Sequence, residues 1–137
     1  MENSLLFKNI EDLTIKRDRL LKKLRKRADT LKGDTDYEKL KSTLKEASRL
    51  RKALLRTLSK VKQNSVGEEY RELINTLLEF SLLVTVEEEL EILQEIKQKL
   101  NAVATGENEL NFIEQEITSV KDLKERLKEV LDPRSRS

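Results

Sequence analysis

Eight positions constrain this chain more than any others: Tyr37, Leu40, Leu44, Ala47, Arg51, Leu54, Leu58 and Val61 alternate by three and four, and seven of the eight are apolar. That spacing keeps one face of an α-helix apolar along its whole length, the pattern of helices that pack side by side. A strand would need a period of two, and none is present. The helix so defined runs from about Asp36 to Lys62. The Thr35-Asp36-Tyr37-Glu38 capping box opens it, and it gives out at Gln63-Asn64.

The same rule organises the rest. Upstream, Leu6, Ile10, Leu13, Arg17, Leu20, Leu24, Arg27 and Leu31 are apolar at six of eight positions, and Gly33 closes that helix. Downstream, Ser65-Val66-Gly67-Glu68 opens a third helix with a stripe through Tyr70, Leu73, Leu77, Phe80 and Val84. Extended further, that frame lands on Glu87, Glu91, Gln94 and Gln98 and fails. A new stripe through Val86, Leu90, Leu93, Lys97, Leu100 and Ala104 starts one residue early, with a capping box at Thr85-Val86-Glu87-Glu88. One residue is a rotation of about 100°. The expectation is therefore a kink or break near Thr85, the alternative being one long helix whose second half turns toward a different neighbour. Past Gly106, a last helix carries Leu110, Ile113, Ile117, Val120, Lys124, Leu127 and Leu131, and Asp132-Pro133 stops it.

The expected fold class is all-α, an antiparallel helical bundle or coiled-coil hairpin of four to five helices. Residues 1–132 form one elongated helical domain, with a basic hairpin over 4–63 and acidic helices over 66–131; residues 133–137 are a basic tail. Short connections make consecutive helices antiparallel. In the first hairpin, facing residue numbers then sum to 71, which sets Leu24 against Ala47 and Leu13 against Leu58. It also sets Arg17, Arg27 and Arg51 against Leu54, Leu44 and Leu20. Such arginines either lay their stems on apolar surface and send the head outward, or pair with acids from the later helices.

Charge is divided between the halves. Residues 1–64 carry 19 Lys and Arg against 9 Asp and Glu, whereas residues 65–137 carry 9 against 17, so that +10 and −8 leave the net +2 of the whole chain. The densest basic run is Lys22-Lys23-Leu24-Arg25-Lys26-Arg27, where Lys22, Lys23, Arg25 and Lys26 lie off the apolar seam. These four are candidate contacts for an acidic protein surface or for phosphates. Glu87, Glu88, Glu89, Glu91 and Glu95 are the candidate acidic patch. Glu87, Glu88 and Glu89 would occupy a first turn, where unpaired N–H groups favour carboxylates. Glu88, Glu89 and Glu95 fall outside the second seam and so are expected to face solvent.

The residue inventory excludes most chemistry. With no His and no Cys, the chain lacks the usual general base, the usual soft metal ligands and any thiol nucleophile. A helical di-metal site built on Glu-x-x-His pairs is equally out of reach. Ser48, Ser59, Ser81 and Ser119 have no Gly-x-Ser-x-Gly elbow, and three glycines make no phosphate cradle. No enzyme activity, cofactor or metal is expected. No apolar run approaches the roughly 20 residues that span a bilayer, and the first residues lack a signal-peptide pattern. The chain is thus expected inside the cell, in the cytoplasm, with the nucleus open to it because Lys22-Lys23-Leu24-Arg25 fits a short import pattern. The function expected is that of a scaffold or adaptor subunit that binds partner proteins, a second copy among them, by helix packing. The alternative is nonspecific contact with nucleic-acid backbone through the basic hairpin. No groove-reading motif is present, and aromatics are only 4% of the chain, too few for base stacking.

Overall fold

A computed structural model describes residues 2–31, 34–63, 67–102 and 106–131. They form α1 (Glu2–Asp29), α2 (Asp34–Gln63), α3 (Glu68–Leu77), a π turn (Leu78–Leu82), α4 (Leu83–Ala102) and α5 (Glu107–Leu131). The all-α fold follows from the seams. Every one of the eight seam positions of α2 is buried, from Tyr37 through Val61. α1 buries Leu6, Ile10, Arg17, Leu20 and Leu24 of its own seam, with Leu21 and Ala28 beside it. A stripe this broad, wider than the seam of a two-stranded coil, belongs to a helix with two neighbours.

α1 and α2 form one hairpin and α4 and α5 the other. Four residues separate α1 from α2, a reach of about 14 Å, so two helices of 28 and 30 residues packed together can only be antiparallel. In the second hairpin, Lys97 pairs with Glu114 and Lys124 with Glu87. Both number pairs sum to 211, which fixes an antiparallel register. α1 packs on α4, and α2 on α5. Here the numbers rise together: Arg17 meets Glu89 and Lys99 reaches Ala28, while Lys41 lies over the Phe112 ring and Arg51 bonds Glu116. Neighbours are therefore antiparallel within each hairpin and parallel between hairpins. The chain crosses from one hairpin to the other at the end of α2.

The frame change expected near Thr85 takes the form of the π turn. Leu83 N–H donates to Leu78 O, five residues back, and the helix continues on both sides without a break. The turn holds one more residue than an α turn. Starting from the buried Ile74 and Leu78, an ideal helix would next bury residues 81, 85, 88 and 92. The structure buries Leu82, Val86, Glu89, Leu93, Ile96 and Leu100, the same series moved one residue later, with Thr85 and Ile92 buried beside it and Ser81 and Glu88 left half-buried. This differs from the stripe read in the sequence. Tyr70, Leu73, Leu77, Phe80 and Val84 were expected inside, with the frame moving one residue earlier. The segment carries two apolar stripes side by side, and only the Ile74–Leu78–Leu82 stripe runs on through the inserted residue into Val86.

Thr85 is not a cap either: it lies inside α4, and its hydroxyl donates to Leu82 O at 3.1 Å. In α5, Leu123 and Val130 are buried where the sequence frame had Lys124 and Leu131. The expected turns at Gly33 and Ser65, the stop at Asp132-Pro133 and the basic tail lie outside the described residues.

Candidate interaction surface and buried charge cluster

Four charged side chains meet at the centre of the bundle, one from each long helix. Arg17 of α1 donates from Nη1 to Glu89 Oε2 at 3.1 Å and from Nε to Thr85 Oγ1 at 3.3 Å. Arg51 of α2 donates from Nε to the other Glu89 oxygen, Oε1, at 3.3 Å. Its Nη1 donates to Glu116 Oε2 at 2.7 Å and to Ser119 Oγ at 3.1 Å. Arg51 Nη2 lies 3.2 Å from Glu89 Oε1 without hydrogen-bond geometry, and Arg17 Nη2 has no partner among the described residues. Arg17, Arg51 and Glu89 are at most 1% exposed and Glu116 is 6% exposed. Two cations and two anions leave the cluster neutral. That balance is what makes its burial tolerable, since an unpaired interior charge is strongly disfavoured.

Of the two options for the seam arginines, Arg17 and Arg51 take the pairing with acids. The acid that both reach corrects the expectation that Glu89 faces solvent. The π turn rotates α4 so that Glu89, rather than Glu88, points inward. Glu116 was not singled out in the sequence. Its only signal there is a position three residues after Ile113, on the flank of the α5 seam.

The remaining acidic candidates disperse. Glu87 pairs with Lys124 of α5. Glu88 and Glu91 approach Arg25 at 3.7 and 3.9 Å, and Glu95 pairs with Lys99 one turn on. Glu88, Glu91 and Glu95 keep to one face of α4 while Glu87 turns toward α5, and among the described residues no group of three or more His, Cys, Asp or Glu gathers to hold a metal. Of the basic candidates, Lys22, Lys23 and Lys26 are exposed, Lys22 lying 3.3 Å from Asp18. Arg25 is turned toward the acidic hairpin.

The outer face of α3, the π turn and α4 is the feature that the sequence placed on the wrong side. Leu73 is 46% exposed, Phe80 72% and Val84 60%. Those three lie along about 16 Å of helix, with Glu72 exposed just before Leu73 and Glu79 exposed just before Phe80. Across the bundle, α1 and α2 enclose a groove of about 450 Å³ floored by Leu20 and Leu50 and walled by Lys16, Arg19, Lys23 and Arg49. Glu46 is the one acid lining it. Among the described residues, no helix is long and apolar enough to cross a membrane. In comparisons with known proteins, no family model, no curated protein and no solved structure matches this chain.

Proposed function

We propose that this chain is a non-enzymatic helical interaction subunit that binds other proteins by helix packing along the Leu73–Phe80–Val84 stripe. The observation that carries the reading is the exposure of that stripe beside a fully formed core. The bundle already buries a complete apolar series on the opposite side of the same helix, so its own folding makes no use of these three side chains. Phe80 and Val84, one turn apart on the side away from the core, with Leu73 on the flank before the inserted residue, offer apolar surface to a groove between partner helices. The test is a photo-crosslinking residue placed at position 80 in the cell and, as control, at the exposed Thr118 of α5. Protein adducts at position 80 and none at position 118 are expected. No adduct at position 80, or equal yields at the two positions, removes the reading.

A second reading rests on the exposure of Lys22, Lys23 and Lys26: contact with nucleic-acid phosphates. With Arg25 engaged by the acidic hairpin, replacing these three lysines by Ala should reduce the salt slope of binding by about 3. An unchanged slope places the contacts elsewhere.

A further inference from the structure

The stripe and the groove are complementary to each other. From Glu68 to Ile96 the chain carries nine glutamates and one arginine. Glu69, Glu72 and Glu79 are exposed along the stripe and make no ion pair among the described residues. The groove is the reverse, an apolar floor among four cations and one acid, Glu46: Lys16, Arg19, Lys23 and Arg49 are all exposed, and none is ion-paired among the described residues. The groove is shorter than the stripe: Lys16 to Lys23 covers about 10 Å of α1 against about 16 Å, so the groove accepts Phe80 and one turn on either side of it, which takes in Glu79 and Val84 and leaves Glu72 and Leu73 outside.

We propose that the stripe of one copy seats in the α1/α2 groove of a second copy, with Phe80 and Val84 over Leu20 and Leu50 and Glu79 among Lys16, Arg19 and Lys23. This rests on the reading of the stripe as a protein-docking surface and names its occupant. A two-fold contact is disfavoured on both sides, because stripe against stripe sets Glu72 and Glu79 against their own copies and groove against groove sets cation against cation. The contact therefore joins unlike surfaces; the form proposed is the open, head-to-tail one, and a reciprocal pair in which two copies exchange stripes is an outcome of the test. Each added copy leaves one stripe and one groove free, and assembly continues unless a ring closes.

Sedimentation velocity on the full chain tests this. A contact this small is expected to be weak, so the useful range is about 5 to 500 µM. Two variants each remove one side of the contact at exposed positions: Phe80→Ser with Val84→Ser, and Arg19→Glu with Lys23→Glu. The average mass of the unaltered chain should rise past that of a dimer with concentration, and less so as salt is raised. Each variant alone should remain a monomer. Mixed in equal amounts they should form a dimer and stop, since only one intact stripe and one intact groove remain to meet. A wild-type chain that is monomeric throughout overturns the proposal. So does a wild-type dimer that grows no further: mixed variants that stay monomeric mark a two-fold contact of like surfaces, and mixed variants that pair mark a reciprocal exchange of stripes. If the wild type is monomeric and position 80 still cross-links to a different protein, the second copy is refuted as occupant and the docking reading stands. No cross-link at all removes both.

Discussion

At the residue scale, the buried quartet and Tyr37 make opposite demands on the solvent. Glu89 serves both arginines, one with each oxygen, so Glu89→Gln leaves two guanidinium groups facing Glu116 alone. We expect a loss of about 3–5 kcal/mol in chemical denaturation, the range for breaking a buried pair from one side. Replacing the whole set, with Arg17→Met, Arg51→Met, Glu89→Leu and Glu116→Leu, should give a protein as stable as the wild type or more so, because the desolvation penalty goes together with the attraction. If the fourfold variant were as unstable as Glu89→Gln, the quartet would be a net source of stability. The Tyr37 hydroxyl is buried and has no hydrogen-bond partner among the described residues. Burial, with Glu109 and then Glu38 nearby, holds its pKa above the ordinary 10.0. The unfolded chain therefore releases this proton first. The contribution to stability is complete below pH 10 and is lost as pH rises from there through the higher folded value. Tyr37→Phe should leave stability at pH 7 nearly unchanged and flatten the alkaline decline; an equally steep decline would assign it to other groups.

At the element scale, the π turn decides which carboxylate enters the core, and its inserted residue makes an unusual prediction. Removing Ser81 lets the helix close as a regular α-helix, and the residues now at Leu82, Val86, Glu89 and Leu93 keep their inward positions. The deletion should therefore fold, with a thermal midpoint equal to or above that of the wild type. Removing Gln94, an exposed residue of α4, should unfold the protein, because Ile96 and Leu100 would turn away from the core. Equal damage from both deletions would contradict the frame argument. This segment also marks how far the sequence could be read. The seam of α2 was legible residue by residue because one stripe dominates it. The α1/α2 pairing was legible because the connection is too short for any other. Between Tyr70 and Val86, two stripes of similar apolarity compete, and counting positions reveals a one-residue discontinuity but not its direction. The inward turn of Glu89 was illegible for that reason, and with it the outward turn of Phe80. Arg17 and Arg51 were legible as seam residues in need of acids, whereas the acids themselves depended on how the second hairpin docks.

At the scale of the whole molecule, the basic and the acidic halves expected from the charge asymmetry are the two hairpins, and they join through α1 on α4 and α2 on α5. The quartet draws on four helices, so it forms only when both hairpins are in register. A slide of one turn between them, about 5.4 Å, would carry Glu89 away from both arginines. Parallel docking has an electrostatic consequence of its own. Each helix ends in unpaired carbonyls equivalent to about half a negative charge, and an up-down bundle alternates these ends so that neighbouring macrodipoles offset one another. Here the C-terminal ends of α1 and α4 lie side by side, and two negative poles share one corner. Lys99 sits there, donating from Nζ to Ala28 O at 2.7 Å and to Asp29 O at 3.2 Å, with Lys26 and Arg27 in the last turn of α1. Lys99→Met should lower stability by about 1 kcal/mol in urea denaturation. Lys99→Glu should lower it further, since it adds a carboxylate to a corner that is already negative. If the two were alike, the hydrogen bonds from Lys99 Nζ to the two carbonyls, not the charge at that corner, would be what holds the two poles together.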